Sequence, residues 1–483
     1  MKLSEIAAGI PGSAIKGVSD PEIAKVDYDS RQVNAGSLFF ALQGEREDGR
    51  KFIPQALERG AAAVALSAEP DSPLDVPYII VSQPRQALAL AAGIVTGYPD
   101  QHIDLVAVTG TNGKTTIISL VGEILKYETG KSGVIGTLGG VIGDRTHSLE
   151  RTTPEAPDIY ALLAEMYREG IHQAAMEVSS HALSLERVFG MKFSAAVFTN
   201  LSRDHLDFHE TIDEYFNAKA KLFSDYKVGT AIINVDDQYG QKLVSLTDSD
   251  VLTFALESSA DVHPTDLQVT GDGIFIKAGT PRGEVEFQSP LLGRFNAYNL
   301  LGALAVSEVL KTSHEAFVSA VKEFKGAPGR LEQIILKDRR VFIDYAHTPE
   351  ALKLVLTEIK RISEGPLVVV FGCGGDRDQE KRPIMGRIAE ENSDTVYITT
   401  DNPRTERPAR IMSEILSGLQ RPQDVMTILD RRHAISTALH KLPAGGTLLI
   451  AGKGHETYQE INGKRFPFDD RAEVIKYQRE LVR

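Results

Sequence analysis

The chain has almost no cysteine: Cys373 is the only one among its 483 residues. A single thiol cannot form an internal disulfide, and it cannot supply a zinc site built from cysteines alone. No apolar run reaches the roughly 18 residues that a membrane-spanning helix requires, and the first residues lack the apolar stretch of a signal peptide. We therefore expect no membrane partner and a cytoplasmic location.

Basic residues are also in short supply, because 53 lysines and arginines face 66 aspartates and glutamates and leave a net charge of −13. Such a chain is unsuited to wrapping nucleic acid, so we expect no nucleic-acid partner. The net charge does not argue against an anionic small molecule, since local arginines, lysines and helix ends decide that kind of site. The sequence has neither a fixed-period repeat nor a low-complexity segment.

The most informative segment is residues 109–116, which read Thr-Gly-Thr-Asn-Gly-Lys-Thr-Thr directly after the apolar run 103–108. A strand, a glycine-containing loop and a helix in this order aim backbone N–H groups and a helix N-terminus at one point, which suits a phosphate. Lys114 can reach terminal phosphate oxygens, and the Thr115 hydroxyl can hold Mg²⁺. Val108 stands where the general pattern has its first glycine, so the match is imperfect. We predict a nucleoside triphosphate site.

Gly97-Tyr98-Pro99 and residues 326–329 combine glycine with proline and mark two domain boundaries. We predict domains at 1–98, 99–329 and 330–483, in line with the length. The first domain is a smaller α/β domain with strands at 37–42 and 62–66 and a helix at 87–95. Predicted strands in the other two lie at 104–108, 173–178, 195–199, 231–235, 341–344, 367–371, 395–400 and 447–451.

Helical segments separate most of these strands, which is typical of mostly parallel sheets covered by helices. Residues 251–288 read instead as antiparallel hairpins, with a turn at Gly271-Asp272-Gly273. The predicted fold class is α/β in three domains, with a central P-loop sheet flanked by helices and a C-terminal Rossmann-like open α/β domain. Ligands of such sheets bind beyond the carboxyl ends of the strands.

Polar side chains follow the later strands of the central domain. Glu177 ends one strand and is either a Mg²⁺ ligand, since Mg²⁺ prefers hard oxygen donors, or a solvated glutamate. Ser179 and Arg187 offer donors for a second anionic group, although a lone arginine is more often a surface residue. His205 lies in the polar loop 199–209, where it is either a metal ligand or a structural histidine.

Lys219 has apolar neighbours at helical spacing, whereas Lys221 points elsewhere. The residues that share its face are Tyr215, Phe216, Leu222 and Phe223. Burial is costly for a charge and lowers the pKa of a lysine by several units. A neutral lysine can react with carbon dioxide to give an anionic carbamate that ligates metal. The alternative is a lysine whose stem packs on the apolar face while its charge reaches solvent.

Four polar loops follow the predicted strands of the third domain, at residues 344–349, 372–378, 401–404 and 452–456. Each alone can be an ordinary turn, but together they indicate a polar crevice. Arg377 and Arg404 suit a carboxylate, and Glu456 suits an ammonium group, so the ligand carries both signs, like an amino acid. In the central domain, Asn296 and Asn299 near a helix start either cap the helix or bind the edge of a base.

These motifs closely resemble those of the Mur ligases. The resemblance covers essentially the whole chain and rests on segments that occur in the same order: 109–116, 177–183, 200–209, 215–223, 344–349, 372–386 and 401–404. It implies ATP-dependent amide-bond formation in peptidoglycan precursor synthesis, with ATP as co-substrate and Mg²⁺ as cofactor. The implied partners are UDP-N-acetylmuramoyl-L-alanyl-D-glutamate and meso-diaminopimelate, and we expect a monomer.

The resemblance implies that ATP phosphorylates the D-Glu γ-carboxylate, which is a poor electrophile until it carries a leaving group. The amine of the amino acid then attacks the acyl phosphate, and phosphate leaves. Residues 401–404, Asp-Asn-Pro-Arg, resemble the signature of diaminopimelate-adding members, whereas lysine-adding members differ at the last position. Arg404 can bind the second carboxylate of diaminopimelate, and without that carboxylate a buried arginine would penalise lysine.

The resemblance also assigns residues to each part of the reaction. It implies catalytic roles for Lys114, Lys219 and His205. It implies ATP contacts for Gly110, Thr111, Asn112, Gly113, Lys114, Thr115, Thr116, Asn296, Arg330, Asp344 and His347. It implies metal ligation by Thr115, Glu177, His205 and Lys219, the last as its carbamate. It implies UDP-sugar dipeptide contacts for Ser30, Thr152, Thr153, Ser179 and Arg187. It implies amino-acid contacts for Arg377, Asp401, Asn402, Pro403, Arg404, Gly452 and Glu456.

Three positions depart from the usual pattern, namely Arg50, Arg151 and Leu185, and they affect the contacts to the UDP-sugar dipeptide rather than the reaction. The alternatives are a lysine-adding Mur ligase and a folylpolyglutamate-type ligase, of which the latter lacks the 401–404 signature. A nucleotide-driven switch would have little use for a separate amino-acid pocket. A zinc-ribbon amidotransferase partner would need several cysteines, and this chain has one.

Overall fold

A computed structural model describes residues 1–44 and 47–482, and the chain forms three α/β units along its length. The N-terminal unit has one five-stranded sheet in the order β1-β5-β4-β3-β2, parallel except for β1. Its elements are α1 (Leu3–Ala8), β1 (Ala14–Lys16), β2 (Lys25–Asp27), β3 (Ser37–Phe40), α2 (Ile53–Glu58), β4 (Ala61–Leu66), β5 (Tyr78–Ile80) and α3 (Pro84–Thr96). The predicted strands and helix of this unit are confirmed as β3, β4 and α3.

The central unit carries an eight-stranded sheet and a separate three-stranded sheet. Its strands are β6 (Asp104–Thr109), β7 (Gly133–Gly136), β8 (Gly139–Ile142), β9 (Arg145–His147), β10 (Gln173–Glu177), β11 (Lys192–Phe198), β12 (Lys227–Asn234), β13 (Asp250–Phe254), β14 (His263–Thr270), β15 (Gly273–Thr280) and β16 (Gly283–Ser289). Its helices are α4 (Lys114–Thr129), α5 (Ala156–Arg168), α6 (Ser180–Ser184), α7 (Leu206–His209), α8 (Ile212–Ser224), α9 (Gln238–Val244), α10 (Arg294–Leu310) and α11 (His314–Glu323).

Strands β13-β12-β11-β6-β10-β7 of the large sheet are parallel, and the β8-β9 hairpin extends its edge. Every residue of β6 after Asp104 is buried, because one apolar layer containing α5 and α8 covers one face and another containing α4 and α10 covers the other. The prediction of hairpins over 251–288 is correct for β14–β16 and wrong for β13, which pairs in parallel with β12.

The C-terminal unit is an open six-stranded sheet in the order β17-β18-β22-β19-β20-β21, parallel except for β17. Its strands are β17 (Glu332–Leu336), β18 (Arg339–Asp344), β19 (Leu367–Phe371), β20 (Thr395–Ile398), β21 (Met426–Thr427) and β22 (Thr447–Ala451), followed by the hairpin of β23 (Tyr458–Ile461) and β24 (Lys464–Pro467). Its helices are α12 (Pro349–Ile362), α13 (Lys381–Asn392), α14 (Pro408–Leu416), α15 (Arg431–Lys441) and α16 (Asp470–Val482).

The parallel neighbours β18, β22, β19 and β20 end at one edge of this sheet, so the four polar loops predicted from the sequence lie at the same edge. Helix α12 starts there, where the Thr348 hydroxyl accepts from the N–H of Ala351 (3.3 Å) and Pro349 fills the first turn. Leu352, Val355, Leu356 and Ile359 are its buried stripe, at helical spacing. The loop that ends at the start of α12 therefore lines the predicted crevice, and α12 itself is fixed by its N-cap and its buried stripe.

The units contact one another through specific polar pairs. Tyr28 of the N-terminal unit donates its hydroxyl hydrogen to Asp158 on α5 (2.7 Å). Glu358 on α12 accepts from the N–H of Arg294 at the start of α10 (2.9 Å). Among the helices that residues 1–44 and 47–482 form, none combines the length and the apolar character needed to cross a membrane.

Candidate active site

The predicted phosphate loop connects β6 to α4, and two glycines allow its path. Gly110 has φ +143°, and a Cβ there would lie 1.9 Å from the Thr199 Oγ1. Gly113 has φ +90° at the N-cap of α4, and a Cβ there would lie 2.4 Å from the Asn299 Oδ1. A larger side chain at either position would therefore strain the backbone and would force a close neighbour to move. The prediction of a strand-loop-helix unit is confirmed.

Two lysines contact the same carbonyl of this loop. The Lys114 Nζ donates to the carbonyls of Gly110 and Thr111 (both 2.9 Å), and the Lys219 Nζ donates to the Gly110 carbonyl (2.9 Å). Lys219 is 1% exposed and its Nζ lies 4.6 Å from the centre of the Tyr215 ring. Burial lowers the pKa of Lys219 well below 10.5, and Lys114 lowers that pKa further. The interpretation of Lys219 as reaching solvent is wrong, whereas its predicted apolar neighbours are confirmed.

The end of β10 forms one wall of the cleft. Glu177 is 1% exposed, and its Oε1 accepts from the N–H of Thr137 (2.9 Å). The hydroxyls of Thr137 and Thr152 lie 3.0 Å apart. Burial excludes the solvated alternative for Glu177. A carboxylate and two hydroxyls thus stand close to the phosphate loop.

Behind this wall, Thr153 and Arg187 form a supporting network. The Thr153 hydroxyl donates to the carbonyl of Glu177 (2.9 Å) and accepts from the N–H of Ser179 (3.1 Å). Arg187 donates to the carbonyl of Thr153 (3.1 Å) and to the Glu155 carboxylate (3.0 Å), so its interpretation as a surface arginine is wrong. Arg151 also pairs with Glu155 (3.1 Å).

His205 and Asp204 lie where the central and C-terminal units meet. Desolvation in the cleft lowers the pKa of His205 to about 4, although Asp204 opposes that shift. Burial alone would raise the pKa of Asp204, but His205, His347 and Lys114 together lower it. At neutral pH, Asp204 is therefore an anionic carboxylate and His205 is a neutral imidazole. A neutral imidazole is the form that ligates metal.

The C-terminal wall of this cleft is built from the end of β18. Burial raises the pKa of Asp344, whose carboxylate accepts from the N–H groups of Leu331 (2.6 Å) and Ala346 (2.7 Å). Arg330 stacks over the Tyr345 ring at 4.7 Å and donates to the Thr115 hydroxyl (3.4 Å), so it spans the two units.

His347 completes this wall, and its Nδ1–H donates to the carbonyl of Tyr345 (2.8 Å). Burial lowers the pKa of His347, and Lys381 and Arg330 lower it further. On the opposite side, neither Asn296 nor Asn299 is the N-cap of α10, which is Gly293, so the capping alternative is wrong. The Asn299 amide donates instead to the Asn296 Oδ1 (2.9 Å).

The 401–404 loop contributes a network of opposite charges. The Asn402 amide donates to the Glu456 carboxylate (2.8 Å), and the fully buried Lys453 donates to both of these side chains (3.1 and 2.9 Å). Arg404 donates to the carbonyl of Gly375 (2.7 Å) and lies 3.3 Å from the Glu460 carboxylate. The guanidinium therefore has protein partners, which the sequence reasoning did not foresee.

Two adjoining cavities gather these residues, and they share Asp204, His205, Tyr345, His347 and Thr348. The first, of about 220 Å³, is lined by the predicted residues Thr111, Asn112, Gly113, Lys114, Thr116, Thr152, Glu177, Ser179, His205, Lys219, Asn296, Arg330, Asp344 and His347. The second, of about 370 Å³, is lined by the predicted residues His205, His347, Arg377, Asp401, Asn402, Arg404, Gly452 and Glu456. The residues predicted to bind the nucleotide and those predicted to bind the amino acid therefore face one shared cleft.

Some predicted residues line neither cavity: Ser30, Gly110, Thr115, Thr153, Arg187 and Pro403. Gly110, Thr115, Thr153 and Arg187 lie directly behind the walls, as the contacts above show. Ser30 is farther away in the N-terminal unit, where its hydroxyl donates to Gln55 (2.6 Å). Asp204, Tyr345 and Lys453 were not singled out from the sequence, although each is next to, or one residue from, a residue that was.

Known proteins share this architecture throughout. Three family models match, described as "Mur ligase family, catalytic domain" over residues 22–106, "Mur ligase middle domain" over 108–307 and "Mur ligase, glutamate ligase domain" over 329–454. A relative from Gloeobacter violaceus, named UDP-N-acetylmuramoyl-L-alanyl-D-glutamate–2,6-diaminopimelate ligase, is 43% identical over 478 residues, 98% of this chain and 97% of its own.

A solved structure of a protein with the same name is 35% identical and has a TM-score of 0.71. The match covers 100% of this chain and 99% of the solved one. The folylpolyglutamate synthase of Mycobacterium tuberculosis, solved with ADP and AMPPCP, has a TM-score of 0.62. That match covers 77% of this chain and 93% of the solved one. At 19% identity it shows a similarity of fold alone. The family models and the full-length relatives together define the chain as an ATP-dependent ligase that forms amide bonds. The chain belongs to the Mur ligase family.

Proposed function

We propose that this chain is an ATP-dependent ligase that joins meso-diaminopimelate to the D-Glu γ-carboxylate of UDP-N-acetylmuramoyl-L-alanyl-D-glutamate. The observation that carries the proposal is the shared cleft, in which the phosphate loop and the 401–404 loop line adjoining cavities. Family membership and the names of full-length relatives support it.

In this proposal, ATP lies along the first cavity with its phosphates on residues 110–116. Lys114 provides a positive charge beside the phosphates, although burial lowers its pKa until an anion arrives. Arg330, which already contacts Thr115, approaches from the opposite unit, and Asn296, Asp344 and His347 contact the rest of the nucleotide. Positive charge from both domains then offsets the repulsion between the negative phosphate and carboxylate oxygens.

We propose Mg²⁺ at the same place, since hard oxygen donors stand there. The Glu177 carboxylate is buried in the wall of the first cavity, and the Thr115 hydroxyl, in the first turn of α4, accepts from Arg330. The described residues include no cluster of three or more His, Cys, Asp or Glu side chains able to hold a metal by themselves. Phosphate oxygens and water would complete the shell, as is usual for Mg²⁺. When bound, the ion would polarise the transferred phosphoryl group.

We also propose that Lys219 is a carbamate in the active enzyme. The neutral amine adds to carbon dioxide and loses a proton, so a buried neutral group becomes a buried anion that can hold a metal. The lowered pKa supplies the neutral amine that this reaction needs. Lys219→Ala should lose activity and recover part of it with a short-chain carboxylic acid, and unimpaired activity without that acid would refute the role.

The acceptor substrate would present its γ-carboxylate between Lys114 and the wall of Thr152 and Ser179, with Thr153 and Arg187 supporting that wall. The uridine end would extend to Ser30 in the N-terminal unit. The carboxylate oxygen attacks the γ-phosphorus and ADP leaves. The amine of diaminopimelate then attacks the acyl carbon, and inorganic phosphate leaves as the amide forms.

Diaminopimelate would occupy the second cavity. Glu456 and Asn402 suit its ammonium and carboxylate groups, with Asp401, Pro403 and Gly452 shaping the pocket, and Arg377 and Arg404 suit its carboxylates. His205 lines both cavities, so it stands where the carboxylate, the phosphoryl group and the amine meet. A lysine-adding ligase remains the second candidate, and Arg404 in the cavity favours diaminopimelate.

We further propose domain limits at 1–98, 99–329 and 330–483, a monomer, and a place in the cytoplasm, where cell-wall precursors for growth and division would be made. One assay tests the central proposal: purified protein should release phosphate from ATP only when the UDP-sugar dipeptide and meso-diaminopimelate are both present. Equal turnover with L-lysine would overturn the role given to Arg404, and phosphate release without either substrate would overturn the ligase assignment.

A further inference from the structure

The hairpin of β23 and β24 lies beyond the region of the C-terminal family match, which ends at residue 454. It nevertheless holds the 401–404 loop along its length. The Gln459 side-chain amide donates to the carbonyl of Asp401 (2.9 Å), and the N–H of Asn462 donates to the carbonyl of Arg404 (2.8 Å). Arg404 and Ile461 form a parallel β-bridge. The loop is thus an added strand-like segment of this hairpin.

Glu460 is the centre of these contacts. Its N–H donates to the Asn402 Oδ1 (3.0 Å), its carbonyl accepts from the N–H of Arg404 (3.0 Å), and its carboxylate lies 3.3 Å from the Arg404 Nε. One residue therefore contacts both Asn402 and Arg404, two of the polar side chains with which the loop lines the second cavity.

The backbone of Arg404 is held in a conformation that residues other than glycine rarely adopt. Its backbone has φ +49°, in the left-handed region, and its guanidinium is fixed on one side by the Gly375 carbonyl and on the other by Glu460. A long arginine side chain ordinarily loses rotamer freedom when it binds a ligand. Here the protein has already ordered it before a ligand arrives.

We propose that the hairpin 458–467 determines amino-acid selectivity and that Glu460 is the positioning residue that holds Arg404 for the distal carboxylate of diaminopimelate. This inference rests on the proposed function. Lysine has no distal carboxylate, so an ordered Arg404 favours diaminopimelate over lysine without changing the chemical step. A carboxylate beside Arg404 also repels a second carboxylate, and the proposal requires that the ordering of Arg404 outweighs this repulsion.

The test compares Glu460→Gln with Lys464→Gln, an exposed substitution on the neighbouring strand that leaves the 401–404 contacts alone. KM and kcat are measured for meso-diaminopimelate and for L-lysine, with the melting temperature of each variant as a folding check. Glu460→Gln should raise the diaminopimelate KM about tenfold, the size expected when a charge-assisted contact is weakened, and should leave kcat and the lysine KM unchanged. Lys464→Gln should match the wild type.

A second variant, Gln459→Ala, loosens the same loop without touching the ion pair and should raise the diaminopimelate KM several-fold. Wild-type selectivity in folded Glu460→Gln, or a lower diaminopimelate KM, would overturn the role of the hairpin and leave the proposed function intact. A wild-type enzyme that does not prefer diaminopimelate to lysine would overturn both.

Discussion

Two lysines that share one carbonyl define the site at the scale of single residues. Lys114 and Lys219 both donate to the Gly110 carbonyl, and Lys219 is buried almost completely. The folded protein therefore binds the Lys219 proton more weakly than the unfolded chain does. Stability should rise with pH between the lowered pKa and the ordinary value of 10.5, by up to about 1.4 kcal/mol per pH unit.

Lys219→Met should therefore melt at a higher temperature than the wild type at neutral pH in carbonate-free buffer, because methionine fills the site without a charge. Lys114 still donates to the Gly110 carbonyl, so that oxygen keeps a partner. The difference in melting temperature should shrink as the pH approaches 10. Lys221→Met on the exposed face of α8 is the control and should show no pH-dependent offset. Parallel pH profiles of wild type and Lys219→Met would contradict this account.

At Gly110, both the positive φ and the lack of space for a Cβ restrict which residues the phosphate loop can accept. Gly110→Ala places a Cβ 1.9 Å from the Thr199 Oγ1, so the phosphate loop or Thr199, which follows β11, must shift. We expect a loss of about 2–4 kcal/mol in the free energy of unfolding, combining overpacking with left-handed strain. Gly283→Ala has a φ closer to that of Gly110 (+120°) but no neighbour within 4 Å, and it should lose only about 1–2 kcal/mol. Denaturant unfolding measures both, and equal losses would exclude the steric explanation.

The chemistry and spacing of side chains predicted the neighbours of a site residue, whereas its burial depended on packing between elements that are distant in sequence. The spacing around Lys219 predicted its apolar neighbours, but only the packing of α8 against the phosphate loop excludes a path to solvent. The spacing of Asn296 and Asn299 fitted a cap or a ligand equally well. The partners of Arg404 come from Glu460 and Gly375, which are distant in sequence, so no local pattern indicated them.

At the scale of elements, long buried strands were predictable and the short strands β7 to β9 were not. Strands such as β6 and β19 are continuous apolar runs because helices cover both faces of their sheets. Strands β7 to β9 were missed, since they have only three or four residues each and β7 and β8 are rich in glycine. Strand β13 was assigned to the hairpins because it is an exposed edge strand, and pairing direction depends on its partner β12.

One buried ion pair connects three C-terminal elements. Arg431 on α15 donates to both carboxylate oxygens of Asp470 on α16 (2.8 and 2.7 Å) and to the carbonyl of Ala451 at the end of β22 (3.0 Å). Asp470→Ala leaves a buried guanidinium charge unpaired and should cost about 3–5 kcal/mol of unfolding free energy.

The double variant Arg431→Met with Asp470→Leu should recover most of that loss, because no charge is then buried. Glu473→Ala, which breaks the partly exposed pair with Arg432, is the control and should cost less than about 1 kcal/mol. Chemical denaturation of the four proteins gives the comparison, and a double variant as unstable as Asp470→Ala would point to lost packing rather than lost charge balance.

At the scale of the whole molecule, the cleft exists only while the central and C-terminal units are docked. The sequence predicted which loops share an edge within each sheet, but the relation between the sheets depends on contacts such as Arg330 to Thr115 and Glu358 to Arg294. The Glu358 carboxylate is buried and meets the N-terminus of α10, where the helix dipole favours a negative charge. Helix α10 carries Asn296 and Asn299 into the cleft.

Glu358→Ala should therefore weaken docking and nucleotide binding together. Losing one charge-assisted bond at a helix N-terminus costs about 1–2 kcal/mol, which predicts an affinity roughly tenfold lower for a non-hydrolysable ATP analogue in calorimetry. The radius of gyration in small-angle scattering should increase, because the units separate more often. Glu391→Ala, in an exposed pair with Arg387 on α13, should change neither quantity. Weaker nucleotide binding with an unchanged radius of gyration would mean that Glu358 only positions α10. An unchanged affinity and an unchanged radius would show that the two units dock without Glu358.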